Sequence, residues 1–388
     1  MPHRSADDIA PPLEPGAEQT ERFNSSPRMQ AAGPTGRRLP TMRDIAEASG
    51  VSQSTVSRVL TGAPNAIPIN PATRERILEV ARRMHYRPNP LARGLRGART
   101  MLLGVIVREI TDPFFAGAVD AISTEANRHG YNVVLGHAHG KTDEAIALRG
   151  VLETRHCDAI LLVGDTSDQP RLLADLLDTN VPVVGLWQGT SAIRGISIIG
   201  VDNKAGINSA MDHLLALGHR RIAFVGGAFL EGRLIGDIGE RRSAFLERAA
   251  IEGLATPDSY VRDARNTMGG GSGALSDLME LAEPPTAIVA STDVLAIGAM
   301  HEASHRGLSM PGDVSIVGFD NLAMAEYATP SLTTICMPIA EMAIAGVSAA
   351  IAENEAVDNR DVTSVQILEP TLIVRESTGP TRVSAGRA

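Results

Sequence analysis

From Met101 onward the chain alternates short, uninterrupted apolar runs with stretches of helical character, and no other feature restricts its fold as much. Nine runs read as strands: 102–107, 132–136, 159–164, 182–187, 196–201, 221–226, 287–291, 314–319 and 333–337. A strand that is apolar at every position, rather than at alternate ones, is covered on both faces, and strands separated by helices pair in parallel. The pattern extends over about 290 residues, more than a single hydrophobic core sustains. Two similar α/β lobes are therefore expected, each a parallel sheet flanked by helices, with a cleft between them. Ligands of such sheets sit beyond the carboxyl ends of the strands.

The stretch before Met101 follows a different pattern. Residues 1–39, rich in Pro, Ala, Glu and Gly, show no periodicity and read as a disordered extension. Thr41 followed three residues later by Asp44 is a capping-box-like helix start, and Gly50 stops that helix after Ser49. Ser52 caps a second helix over 53–60, and Asn70 with Pro71 opens a third. Two short helices joined by a glycine turn have helix-turn-helix spacing. Ala46 lets them approach, and Ile45, Val51, Val56, Leu60, Ile77, Val80, Ala81 and Met84 recur at the spacing of a shared core. On the second helix Gln53, Ser54, Ser57 and Arg58 project opposite Val56 and Leu60, where the start of a recognition helix reaches base edges.

Composition supports that reading once it is taken locally. The net charge is −9, yet between Arg37 and Arg99 lie twelve arginines, no lysine and four carboxylates, a local excess of +8. A basic block on an acidic body is the charge pattern of a DNA-reading module joined to something else. The longest apolar runs are strand-length, so no membrane span is expected. Residues 1–39 hold no signal-peptide core, and a cytoplasmic chain is expected. Two cysteines, Cys157 and Cys336, suit a reducing compartment in which thiols stay free.

Residues 41–60, Thr-Met-Arg-Asp-Ile-Ala-Glu-Ala-Ser-Gly-Val-Ser-Gln-Ser-Thr-Val-Ser-Arg-Val-Leu, resemble the DNA-binding signature of the LacI/GalR family of transcriptional regulators. Further matches follow in the family's order. They include Thr73-Arg74-Glu75-Arg76, Tyr86-Arg87-Pro88-Asn89, Gly104-Val105-Ile106-Val107 and Asp112-Pro113-Phe114-Phe115. They continue with Gly218-His219-Arg220-Arg221-Ile222 and Val314-Ser315-Ile316-Val317-Gly318-Phe319-Asp320-Asn321, so the resemblance covers 41–376. It implies an N-terminal all-α helix-turn-helix DNA-binding headpiece over 40–86 and a hinge helix over 87–99. Over 100–388 it implies a two-lobed α/β core, like that of periplasmic binding proteins, for effector binding and dimerisation.

The resemblance also implies roles. Thr41, Ser52, Gln53, Ser54, Thr55, Ser57 and Arg58 fall where the family's headpiece meets DNA, with Gln53 and Ser54 reading the half-site and Arg58 a base. Asn89, Leu91, Ala92, Arg93, Leu95 and Arg96 match its hinge helix, in which the residue at Leu95 wedges between base steps in the minor groove. Gly94 departs from the helix formers expected there, and the loop 61–69 is longer than the family pattern. In the core, Asp320 matches an acidic residue used on ligand hydroxyls and Arg241 a ligand-contacting arginine; Asp112, Phe114, Phe115 and Thr292 belong to the same expected site. Trp187 stands in place of an acidic contact, which favours stacking over chelation of hydroxyls. Asn266 stands near a position where an aromatic is common.

The expected protein is thus a homodimeric repressor. It reads an inverted-repeat operator in double-stranded DNA and answers to a small-molecule effector, a sugar or sugar derivative. No catalysis, metal or other cofactor is expected. A periplasmic-type binding protein would show a signal peptide and no basic headpiece; an α/β enzyme would show a nucleophile–base or cofactor constellation, and none is evident. The run from Gly136 to Thr142 is one residue short of phosphate-loop spacing, and His137, His139, His156 and Cys157 lack the fixed spacing of a metal site. Gly269 to Gly273 read as a flexible loop leading into a helix.

Overall fold

The computed structural model describes residues 40–61, 68–86, 99–137, 157–165, 170–178, 181–187, 193–227, 229–230, 233–234, 236–355 and 364–381. The chain divides into two compact units, Met1–Pro88 and Asn89–Ala388. Residues 87–98 of the expected hinge, the extension and most of the loop 61–69 lie outside the described residues, as do His139 and His156.

The first unit contains α1 (Met42–Ser49), α2 (Gln53–Thr61) and α3 (Pro71–Arg83). Each helix starts on the residue chemistry that the sequence advertises. Thr41 and Asp44 form a reciprocal capping box, Ser52 Oγ accepts from Thr55 N at 3.2 Å, and Asn70 Oδ1 accepts from Ala72 N at 2.9 Å. Gly50 turns the chain at φ 65°, a conformation that costs a residue with a Cβ more than glycine. Ile45, Ala46, Val56, Val59, Ile77, Val80 and Ala81 close a small core, with Val51, Leu60, Met84 and Tyr86 against it. Val59, not expected as a core residue, follows Val56 by three positions and shares its face.

The second unit holds two parallel sheets. In one lobe β1 (Leu102–Val107), β2 (Asn132–His137), β3 (Ala159–Val163), β4 (Val183–Leu186), β5 (Ser197–Val201) and β13 (Val365–Leu368) lie in the order β13-β5-β4-β3-β1-β2. The helices α4 (Pro113–Arg128), α5 (Pro170–Leu177) and α11 (Ile339–Glu355) belong to this lobe. In the other lobe β6 (Ile222–Val225), β9 (Val261–Arg262), β10 (Ala287–Ala290), β11 (Ser315–Asp320), β12 (Thr333–Cys336) and β14 (Thr371–Ile373) lie in the order β14-β12-β11-β10-β6-β9, with β14 alone antiparallel. Its helices are α6 (Asn203–Ala216), α7 (Gly236–Ile251), α8 (Met268–Met279), α9 (Asp293–His305) and α10 (Ala323–Tyr327), and a short hairpin pairs β7 (Phe229–Leu230) with β8 (Arg233–Leu234). The chain crosses between lobes three times, after β5, after β12 and after β13, so strand ends of both sheets converge near the crossings.

All nine expected strands are present, with ends displaced by no more than one residue. Strands β3, β4, β5, β6 and β10 are buried at every position, which is why they read as unbroken apolar runs. Strands β9, β13 and β14 were not expected. They have two, four and three residues and occupy sheet edges, too short and too exposed to stand out as apolar runs.

The glycine-rich stretch is a correction: Gly269 to Gly273 form the first turns of α8, not a loop. A Cβ at Gly271 would lie 2.0 Å from the Leu295 carbonyl oxygen on α9, and one at Gly298 would lie 2.0 Å from the Met268 carbonyl oxygen on α8. The helices cross backbone to backbone, and glycine is what permits it. Both cysteines are free, and burial pushes the Cys157 thiol up to about 11. No described helix is long and apolar enough to cross a membrane.

The last described segment is stitched under the second lobe. Ser377 pairs with Ile316 and Thr333, Thr381 N donates to Leu217 O, and two histidines hold the strap between them. His213 Nε2 lies 2.9 Å from Thr378 Oγ1; His219 Nε2 lies 3.0 Å from the Gly379 carbonyl and its Nδ1 2.9 Å from Thr286 Oγ1. Burial pushes both imidazoles below the ordinary histidine value of 6.5; at His219 the Gly379 carbonyl opposes this and the charge of His213 adds to it. A histidine depressed in the folded chain contributes stability above its unfolded value, and that contribution is lost as the pH falls through the folded value. His219→Gln is therefore expected to lose less, or gain more, in urea midpoint than the parent as the pH is lowered from 7 to 5.

Candidate functional site

The exposed face of α2 presents Gln53 and Ser54 to solvent, with Ser57 and Arg58 half-buried one turn on, and Val56 and Val59 turned inward. The Ser52 hydroxyl lies 2.8 Å from both Ser54 Oγ and Thr55 Oγ1, so three hydroxyls are tied together at the start of the helix. Thr41 Oγ1 is engaged by the Asp44 carboxylate at 2.8 Å. The structure thus brings Gln53, Ser54, Thr55, Ser57 and Arg58 onto one short helix with Ser52 at its cap, and gives Thr41 a capping duty. Asn89, Leu91, Ala92, Arg93, Leu95 and Arg96 lie outside the described residues.

The second group of expected residues gathers at the carboxyl ends of strands in both lobes. After β1, Asp112 caps α4 through Oδ1, which accepts from Phe114 N at 3.0 Å. Phe114 is buried and meets Trp187, at the end of β4, edge to face with ring centroids 5.5 Å apart; half-buried Phe115 packs edge-on against Phe114 at 5.3 Å. Phe114 therefore belongs chiefly to the core, while Phe115 stays partly open. Trp187 is 1% exposed, adopts a left-handed φ of 57°, and its indole N–H has no partner among the described residues. A strained backbone and an unpartnered buried donor at one residue cost free energy, and sites of function are where such costs persist.

In the opposite lobe Arg241 is almost fully buried on α7. Its Nε donates to Asn203 Oδ1 at 2.8 Å and its Nη1 to the Ser291 carbonyl at 2.7 Å, with Asp320 Oδ1 3.5 Å away. The guanidinium lies 3.6 Å from the centroid of the Phe319 ring, a cation–π contact. Asp320 itself is buried, at φ 116°, and is not a helix cap. Burial drives its carboxyl well above the usual range, Arg241 opposes this, and the charges of Asp293, Asp112 and Asp237 reinforce it. Burial likewise raises Asp237 to about 6, again opposed by Arg241, and raises Asp293 to about 7. The cap at the end of β10 is Thr292, whose Oγ1 accepts from Leu295 N at 3.3 Å and donates to Asn266 at 2.6 Å.

Two residues central to this cluster were not singled out as contacts in the sequence. Asn203, the first residue of α6 after a lobe crossing, orients Arg241 and donates to Asp237 and Glu240 at 3.1 and 2.8 Å. Asn266 bridges Asp112 and Thr292. The available signal was position: each follows a strand and adjoins a helix-capping residue, Asp202 in one case and Thr267 in the other. The polar strand ends and the aromatic wall suit a small polar molecule with one apolar face. Among the described residues no group of three or more His, Cys, Asp or Glu is arranged to hold a metal ion.

Comparison with known proteins places both units. The family described as bacterial regulatory proteins, lacI family, matches residues 41–89, and a periplasmic binding protein-like domain matches residues 211–378. Catabolite control protein A of Priestia megaterium is 32% identical over 299 residues, which is 77% of this chain and 88% of that protein. The structure of the lac repressor dimer bound to operator and the anti-inducer ONPF superposes with a TM-score of 0.75 at 25% identity, over 88% of this chain and 100% of that one. A complex of the transcriptional regulator CelR with cellobiose gives a TM-score of 0.64 at 27% identity, over 87% and 99% of the two chains. With a capped helix-turn-helix ahead of two parallel-sheet lobes, and relatives of this kind matching nearly end to end, the chain belongs to the LacI family of bacterial transcriptional regulators.

Proposed function

We propose that this chain is a cytoplasmic repressor that reads an inverted-repeat operator as a homodimer. A sugar or sugar derivative bound between the lobes modulates its operator affinity. The observation that carries the reading is the capped, arginine-rich helix-turn-helix whose α2 turns Gln53, Ser54, Ser57 and Arg58 away from its core. Thr41, Ser52 and Thr55 take the flanking contacts, and Asn89, Leu91, Ala92, Arg93, Leu95 and Arg96 the minor groove at the operator centre. Asp112, Phe114, Phe115, Trp187, Arg241, Thr292 and Asp320 form the effector site. Relatives solved with cellobiose and with the anti-inducer ONPF support a saccharide-like effector, as do the aromatic pair Phe114–Trp187 and the buried arginine–aspartate pair. The chain carries out no reaction; it couples two binding equilibria, and the coupling is reciprocal.

Selection from random duplexes, followed by footprinting with and without a panel of sugars, tests this directly. A palindromic site whose protection responds to one sugar is the expected result; no preference for a palindrome over random duplex at moderate salt would overturn it. On the selected site Arg58→Ala is expected to cost about 1–3 kcal/mol and relax the preference at one base pair per half-site. Arg82→Ala, on the far helix, should leave sequence preference intact.

A further inference from the structure

Asp112 and Thr292 stand on different lobes, and one side chain connects them. Asp112 follows β1; its Oδ1 caps α4 and its Oδ2 accepts from Asn266 Nδ2 at 2.8 Å. Asn266 lies between β9 and α8 in the other lobe, and its Oδ1 accepts from the Thr292 hydroxyl at 2.6 Å. One end of the carboxamide is held by its own lobe and the other end by the opposite lobe. The lobes also meet at a second place. A Cβ added at Gly236, the first residue of α7, would lie 1.5 Å from Oδ2 of Asp165, which follows β3 in the first lobe. Two separate approaches, one of them a hydrogen bond to a half-buried carboxylate, describe a cleft that is closed on itself.

We propose that Asn266 is a clasp that ties the two lobes together across the cleft, so that this residue biases lobe position. The clasp is a property of the protein whatever molecule the cleft takes up, and it stands or falls apart from the operator reading. Asp112 and Thr292 are also proposed effector contacts, so an occupant that takes them over releases the clasp. Lobe opening would then be the cost an effector meets and the motion it transmits.

Trp187 supplies the readout, because it is the sole tryptophan of the chain and is buried beside Phe114, two residues beyond Asp112. The experiment measures acrylamide quenching of Trp187 fluorescence in the full chain with no effector added. Asn266→Asp sets two carboxylates face to face and is expected to raise the quenching constant roughly twofold or more as the open population grows. Asn266→Ala, which removes the bridge without adding charge, should do the same. The exchange Asp112→Asn with Asn266→Asp restores both bonds: the carboxamide at 112 still accepts from Phe114 N and now donates, and the carboxylate at 266 still accepts from Thr292. The double variant is expected to return to the parent's quenching. Single variants that quench like the parent, or a double variant that quenches like Asn266→Asp, would overturn the clasp. Thermal unfolding of each variant, followed by circular dichroism, separates lobe opening from loss of fold: an open but folded chain keeps a cooperative transition, and increased quenching seen only in chains without one counts against the clasp.

Discussion

Arg241→Ala is expected to lower the stability of the two-lobed unit by about 3–5 kcal/mol, the loss typical when one partner of a buried ion pair is removed. Three oxygen acceptors lose their donor at once: Asn203 Oδ1, the Ser291 carbonyl and the Asp320 carboxylate. The buried carboxylates carry the larger part of the cost. Asp320 and Asp237 are already raised by burial, and the charge of Arg241 is what restrains them, so both rise further without it. A carboxyl raised in the folded chain keeps its proton where the unfolded chain has lost it. Its stabilising contribution is therefore complete in acid and is lost as the pH climbs through the folded value. The deficit of Arg241→Ala relative to the parent should be greatest near pH 8 and shrink toward pH 5, read from urea denaturation of both proteins at each pH. A deficit that grows toward acid would show that the carboxylates are not its source. Arg241→Met combined with Asp320→Asn should recover part of the loss, because it removes both charges together.

Gly298→Ala and Gly271→Ala are expected to destabilise by about 1–3 kcal/mol despite alanine's better helix propensity, worth about 1 kcal/mol. In each case the new Cβ would sit 2.0 Å from a carbonyl oxygen of the facing helix, and neither backbone can yield without parting α8 from α9. Gly273→Ala supplies the contrast. It makes the same change on the same helix where no atom lies within 4 Å, and should raise the melting temperature. Differential scanning calorimetry of the three variants decides the matter. Equal effects at 271 and 273 would mean that the close crossing does not govern stability.

These glycines also show where reading the chain failed. Five small residues in succession carry no apolar period and look like a loop, and only the position of α9 reveals that their missing side chains are the contact. Elsewhere local chemistry was enough. The capping box at Thr41 and Asp44, the turn at Gly50 and the cap at Asn70 are all decided by groups within four residues of one another. Eight of the nine expected strands were legible because burial on both faces leaves an apolar residue at nearly every position, while the exposed edge strand β2 was legible only by its short run 133–135. The edge strands β9, β13 and β14 were not, because their pairing comes from a neighbour and not from their own side chains.

The candidate site divides along the same line. Asp320, Asp112 and Thr292 were legible as polar residues at strand ends and helix starts, and Arg241 only through the family resemblance. Their partners were not. Asn266 and Thr292 are 26 residues apart and Asn266 and Asp112 are 154 apart, and nothing along the chain announces those pairings. Strands, caps and the basic recognition face follow from short-range sterics and from the spacing of apolar and charged residues, which a linear text records in full. Which carboxylate meets which amide across the cleft depends on three chain crossings that bring distant strand ends within hydrogen-bond reach. That distance exists only after both sheets have formed.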